Sequence, residues 1–448
     1  MRSVGLGVAV AIFALPRMAY AQSLANIPGQ TSLQTRVGAA VAATCGGLAA
    51  AGVNPLGAAD DEDLFGRCRE LVQNGNEVVG AGAAAFSLGL NADQLNDALL
   101  QVSHDEAPAQ GTDSTETASA QVQNVSARIA ALQAGATGFS TAGLNLYRNG
   151  ERQQALAPSG TASGQDGDFN GLGGFINGTV GFGDVDGSAE EAGFDFNTYG
   201  LTAGVDYFLN DNAIIGVAIG YGFNDSDFNN GSNLDKDTFT VSIYTSVFHD
   251  NGLYLDGIAT FGWNNYDFDR RIVYANVNRT ATSDTNAFEY SFTGTGGYDM
   301  AAESWSFGPY VRVSYLRTDI DGFAESGAQG LNLTFASQNV DSLTTVVGFQ
   351  VQNAVSTEFG VLTPYVRAEY EHEFADDSRR INVRYTADPN ANVFFVQTDS
   401  PDRNFFNLGG GVAAVFAGGF TAFLDFDALV GRSDINSYTF TFGVRKEF

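Results

Sequence analysis

From residue 172 to the end of the chain, apolar residues alternate with small or polar ones in blocks of about ten to eighteen residues. That two-residue period belongs to strands with unlike faces. In AIIGVAIGYGF, Ile215, Val217, Ile219, Tyr221 and Phe223 alternate with Gly216, Ala218, Gly220 and Gly222. In TAFLDFDALV, Phe420, Ala422, Leu424, Phe426 and Ala428 alternate with Thr421, Phe423, Asp425 and Asp427. Twelve such blocks can be counted: 172–183, 194–209, 212–228, 235–249, 252–268, 285–301, 304–318, 340–356, 359–374, 403–416, 419–432 and 435–448. Carboxylates on the inward face would be costly in the dry core of a sandwich, whereas a wet lumen accepts them. The connections alternate long and short, the short ones being LNDN, HDNG, AAES, VSTEF and FAGG. Even strand number and two-sided loop asymmetry predict an antiparallel outer-membrane barrel, with apolar residues facing lipid and polar ones facing a lumen. Tyr221, Phe223, Trp263, Tyr315, Tyr370 and Tyr438 are its candidate girdle residues.

Before residue 136 the period changes to that of helices. Val37, Val41, Cys45 and Leu48 recur at helical spacing, as do Leu64, Cys68 and Leu71. NADQLNDALLQV opens with Asn91 and carries Gln94 three positions on, a capping-box signal, and Val122, Val125, Ile129 and Leu132 mark another helix ended by Gly135. Residues 22–135 therefore read as a small helical, passenger-like unit, and 136–171, rich in Gly, Ser and Asp, as a linker to the barrel of 172–448. Residues 1–21 read as a secretory signal peptide: an early arginine, an apolar run from Val4 to about Leu15, and Ala19-Tyr20-Ala21 as the cleavage site.

Export changes the reading of the two cysteines. In an oxidising compartment Cys45 and Cys68, 23 positions apart, are most simply one disulfide, stabilising by about 3 kcal/mol. A metal site would need more ligands, and no metal or cofactor is expected. A net charge of −29 argues against nucleic acid as a partner; the lipid bilayer of the outer membrane is the partner that the strand pattern implies.

The last strand, YTFTFGVRKEF, puts Tyr438, Phe440, Phe442, Val444 and Phe448 on one face, with Thr439, Thr441, Gly443 and Arg445 on the other. Together with YGLTAGVDYFLNDNAIIGVAIGYG, WSFGPYVRVSYLRTDIDGFAESGAQGLNLTFASQNVDSLTTVVGFQV and LTPYVRAEYEHEF, it resembles the translocator domain of the autotransporter, or type V secretion, family. The resemblance implies that Phe448, with Phe440, Phe442 and Val444 behind it, forms the assembly signal. Its readers would be the barrel assembly machinery, with periplasmic chaperones as further partners. Lys446 departs from the usual aromatic or apolar residue at its position. The resemblance also implies a passenger displayed at the cell surface and a helix threading the lumen. A helix crossing an apolar band of about 25 Å needs roughly 17 residues. Both 117–134 and the weaker segment LNLYRNGERQQALA are candidates, and the choice stays open.

Candidate chemistry is sparse. Inward positions Arg312, Arg367, Glu369, Asp425, Asp427 and Arg445 are expected to form a lumenal charge network bracing the barrel around its helix. His104, His249 and His372 are assigned no catalytic partner, and neither a GDSL motif nor a G-x-S-x-G elbow occurs. The expectation is a binding protein that is not an enzyme, its passenger kept attached because no paired asparagines stand in the linker. DVDGSAEE, DFDRR and TDIDG read as acidic loops, none with the spacing of an EF-hand. The alternative is a pore or structural barrel whose helical unit stays periplasmic or plugs the lumen.

Overall fold

The computed structural model describes residues 24–133, 147–148, 151–152, 172–416 and 420–446. The signal-peptide assignment, most of the linker and Phe448 lie outside those residues. Twelve long strands form one closed antiparallel barrel: β1 (Leu172–Val185), β2 (Phe194–Asn210), β3 (Ala213–Phe228), β4 (Asn233–Phe248), β5 (Leu253–Tyr274), β6 (Val277–Tyr298), β7 (Trp305–Ile320), β8 (Gln338–Asn353), β9 (Gly360–Glu373), β10 (Asn404–Phe416), β11 (Phe420–Val430) and β12 (Ile435–Lys446). Each pairs with its neighbour in sequence, and β12 returns to β1 from Ile435↔Val185 to Gly443↔Asn177. Closure leaves no open edge to be satisfied in lipid.

The outward face of the wall is apolar, as the alternation predicts: Ile215, Val217, Ile219 and Tyr221 are exposed, and Ala218 between them is buried. Tyr221, Phe239, Trp263 and Phe288 stand directly opposite one another across β3 to β6, forming part of an aromatic belt. Beyond that belt Asp225, Asp235, Asp267 and Asp284 make a second cross-strand row. Apolar band, aromatic belt and acidic rim follow one another along the strand as lipid tail, interface and water do along the membrane normal.

The outer end differs from the loops that the sequence predicts. The segment around 269–284 is a hairpin arm: β5 and β6 run 22 residues each and turn only at 275–276. DFDRR is thus strand, with Phe268 and Arg270 buried and Asp267 and Asp269 outward. The segments 321–337 and 374–403 contain a four-stranded sheet of Phe323–Ala324, Leu333–Phe335, Arg380–Tyr385 and Val393–Gln397. Strands this short, lying among turn residues, show little periodicity.

Among the described residues four helices precede the barrel: α1 (Ser32–Ala50), α2 (Asp60–Val79), α3 (Ala92–Gln101) and α4 (Ala109–Gln133). Thr31 and Asn91 cap α1 and α3 by capping boxes with Gln34 and Gln94. In α2, Asp60, Asp61, Glu62 and Asp63 occupy the first turn, where the helix dipole favours negative charge, and Gly80 at φ 69° ends the helix in a left-handed conformation. Cys45 and Cys68 form a disulfide joining α1 to α2, their Cα atoms 5.6 Å apart.

These helices do not keep a core of their own. Val37, Leu48, Leu71 and Leu99 pack in one cluster with Ile272, Tyr274 and Val277 of the hairpin arm and with Leu331, Phe335, Val383 and Val396 of the loop sheet. Helices α1 to α3, of 19, 20 and 10 residues, present too little apolar surface to stand alone, and the barrel's outer segments supply the rest. The result is a cap seated on one side of the barrel mouth.

Candidate translocation lumen

Helix α4, which contains 117–133, lies in the lumen, while the other candidate, LNLYRNGERQQALA, falls outside the described residues except for 147–148 and 151–152. Ala109 at its start packs among Phe194, Phe228, Leu234 and Ile435 at the outer rim, and Val125 and Ile129 pack near its end with Phe175, Ile214 and Phe248 by the short turns. Its 25 residues, at 1.5 Å each about 37 Å long, exceed the apolar band of about 25 Å. Glycines let it come close: a Cβ on Gly220 would lie 2.3 Å from Oε1 of Gln121.

One face of α4 is tied to the wall from β1 to β5 by a ladder of buried polar contacts. Lys236 donates to Thr117 at 2.5 Å and to the Asp113 carbonyl at 3.2 Å. Ser226 donates to Asp113 at 3.0 Å, and Ser114 pairs with the Tyr266 hydroxyl at 2.6 Å. Gln121 donates to Ser242 and accepts from Thr202. Asn124 donates to Thr202 and accepts from Thr179, while its carbonyl accepts from Asn177. At the inner end Arg128 grips Asp206 through Nε and Nη2 at 2.6 and 2.7 Å, with both side chains fully buried. The Tyr244 hydroxyl donates to the same carboxylate at 3.0 Å. This ladder was not singled out in the sequence; the inward phase of Asp206 and Lys236 in their strands is the signal that could have found it.

The charged residues picked out by alternation lie on the opposite wall. Arg312 donates to Glu369 at 3.0 Å, and Arg367 stands 2.5 Å from Asp427, 3.5 Å from Asp425 and 3.9 Å from Glu369. The Tyr310 hydroxyl also donates to Glu369. The side chain of Arg445 lies outside the described residues. Between this wall and α4 is a cavity of about 700 Å³. Of the assembly-signal residues, Phe440 stacks against Phe182 and meets Phe426 at a tilt of 45°, and Phe442 is exposed on the outer face over Gly178. The side chain of Val444 and all of Phe448 lie outside the described residues.

The turn from α3 into α4 holds a buried polar knot. His104, at φ 61° and wholly buried, sits against Phe268 and Phe335, with Nδ1 2.9 Å from Glu106. Glu106 also accepts from Asn230 and Ser232, and Arg270 forms a bidentate pair with Glu325 at 2.6 and 2.7 Å. His104 is thus the centre of a buried structural cluster. Burial alone would raise the Glu106 carboxyl, but the hydrogen bond and charge of His104, with Arg270 behind, hold it down at about 2. A depressed carboxyl binds fewer protons folded than unfolded. Its contribution to stability is therefore full above 4.5, its ordinary value, and is lost as pH falls toward about 2. Protease resistance of the cap should fall across that window, and Glu106→Gln should flatten the fall; an unchanged profile in the variant would remove Glu106 from the linkage.

A closed twelve-stranded barrel with an aromatic belt and a helix through its lumen defines an integral outer-membrane β-barrel. The chain belongs to the autotransporter family: the family model "Autotransporter beta-domain" matches residues 174–427. The translocator domain of autotransporter NalP from Neisseria meningitidis shares the fold with a TM-score of 0.51 at 16% identity, over 63% of this chain and 90% of that one. Esterase EstA of Pseudomonas aeruginosa is 27% identical over 239 residues, which is 51% of this chain and 35% of the relative. Lipase 1 of Photorhabdus luminescens is 23% identical over 254 residues, 56% of this chain and 38% of the relative. The chain thus spans little more than a third of the length of these two relatives. It resides in the outer membrane. The expectation of a non-enzyme is corrected by the same comparison, since these relatives are named an esterase and a lipase. That expectation rested on histidines without catalytic partners and on the absence of GDSL and G-x-S-x-G motifs.

Proposed function

We propose that this barrel carries its own N-terminal unit across the outer membrane and holds it at the cell surface as a cap over one side of the outer mouth. The observation that carries this reading is direction. Helix α4 enters the lumen at the end bearing the hairpin arm and loop sheet and leaves by the short turns, where β1 begins. Long connections of outer-membrane barrels face outward, so α1 to α3 fall on the outside. A unit kept in the periplasm would require the reverse polarity. Insertion would depend on the barrel assembly machinery reading the last strand, with periplasmic chaperones keeping the chain open beforehand. The exposed side of the cap, including Leu56 and Phe86, is the part free to bind a surface ligand.

Because both native cysteines are joined in the disulfide, one added cysteine gives a single labelling site. Leu56→Cys should react with a membrane-impermeant maleimide on intact cells, since Leu56 is 78% exposed. Asp250→Cys, in the turn between β4 and β5, should react only after permeabilisation. Labelling of both sites only in permeabilised cells would reject surface display. The names of the esterase and lipase relatives bring ester hydrolysis to this chain as a second reading, and ester turnover by the purified full chain is the assay that decides it.

A further inference from the structure

The loop sheet has two faces, and the shared core uses one of them. Alternation along Arg380–Tyr385 turns Ile381, Val383 and Tyr385 into that core and leaves Arg380, Asn382 and Arg384 on the other side. In the neighbouring strands Thr334 stands opposite Arg384, and Phe395 opposite Asn382, on the same side. Two guanidiniums lie over the Phe395 ring, that of Arg380 at 4.8 Å from its centroid and that of Arg36 in α1 at 4.7 Å. Val393, also opposite Arg384, is 63% exposed.

On a chain of net charge −29 this face reverses the local sign. Of its three arginines, only Arg36 pairs with a carboxylate among the described residues, that of Glu190. From Arg380 to Arg384 the strand rises roughly 13 Å. Guanidiniums spaced along a strand in this way suit acidic groups repeated along an extended chain, each taken by a forked pair of N–H donors. The Asn382 amide and the Thr334 hydroxyl beside them offer partners for neutral hydroxyls. A peptide joining as a further strand is disfavoured, because Arg36 Nε already donates to the Phe395 carbonyl at the free edge, at 3.4 Å. The inner side of the sheet packs with Ile272 and Tyr274, and from Asp267 of the acidic row to Tyr274 the strand rises roughly 23 Å. The sheet therefore stands clear of the headgroups beside that row, and its partner comes from beyond the membrane.

We propose that this face of the loop sheet binds a short stretch of acidic polysaccharide, a sugar chain with repeated carboxylates, presented by another cell. Arg380 and Arg384 hold successive carboxylates, Asn382 and Thr334 meet ring hydroxyls, and Val393 lies under the apolar face of a sugar. The acidic bulk of the protein repels long polyanions and limits the contact to the few sugars that this face spans. The inference rests on surface display for the side of the membrane on which the glycan is met.

Titration of a fluorescent galacturonate hexasaccharide with the purified full-length protein in detergent provides the test. Binding should be measurable and should vanish when the sugar carboxylates are methyl-esterified. Arg380→Gln with Arg384→Gln should weaken it on the order of tenfold. Arg384→Gln alone, which leaves the Arg380 and Arg36 contacts with Phe395 in place, should cause a smaller loss with the protease resistance of the cap unchanged. Arg271→Gln, exposed on the hairpin arm, should bind as the wild type does. No binding by the wild-type protein, binding that survives esterification, an equal loss in Arg271→Gln, or equal affinity for a hexaglutamate peptide would overturn the proposal. The assay needs no cell, so its failure leaves surface display, which labelling reads, untouched.

Discussion

Replacing Arg128 with alanine will destabilise the seating of α4 by about 3–5 kcal/mol, because it leaves the fully buried Asp206 carboxylate without its counter-charge. The change removes two charge-assisted hydrogen bonds that grip the inner end of the helix. Protease cleavage within 109–133 in the assembled barrel should accelerate accordingly, and the barrel should lose its folded electrophoretic mobility at lower temperature. The paired change Arg128→Leu with Asp206→Leu should recover much of the loss, since it removes both desolvation costs together. A single variant as resistant as the wild type would mean that the neutral rungs at Gln121 and Asn124 suffice to hold the helix.

The second large effect concerns the cap. Phe335 is 2% exposed in the loop sheet, stacked on Phe323 at 4.5 Å between ring centroids and edge-on to His104 at 5.1 Å. Phe335→Ala should cost about 3–5 kcal/mol by leaving a cavity in the shared core. The loss should appear in the cap: α1 to α3 should become protease-sensitive while the strand wall keeps its resistance to heat and detergent. If the helices stay protected, they fold without help from the barrel, and the shared core is a contact between two finished units.

Much of the barrel was legible because a wall with lipid on one side and water on the other imposes a strict two-residue period. That period located β1 to β4 and β7 to β12 to within a few residues of their observed ends. It failed at the outer arm, where Ile272 and Tyr274 alternate with Arg271 and Val273 beside a run of charge, so that strand resembled loop. The loop sheet was invisible because strands of two to six residues carry no period. Arg312, Arg367, Glu369, Asp425 and Asp427 were found as lumenal positions by phase alone. The choice of lumen helix was left open in the sequence. What places α4 there is Gln121, Asn124 and Arg128 meeting Thr202, Asn177 and Asp206, a match between distant side chains that no local pattern announces. The surroundings of His104 were hidden for a similar reason, as the groups around it come from β5 and the loop sheet.

The core that straddles cap and barrel bears on inheritance and on engineering. A translocator whose outer loops finish in water could accept any cargo placed ahead of its helix, and exchange of passengers would be simple. Here a foreign cargo would uncover Leu331, Leu333, Phe335 and Val396, each nearly solvent-free beneath the native helices, and leave a greasy, sticky mouth on the cell surface. Barrel and cap are therefore expected to change hands as one cassette, their facing residues drifting in step, and anyone adapting this barrel as a display vehicle would need to repaint those loops first.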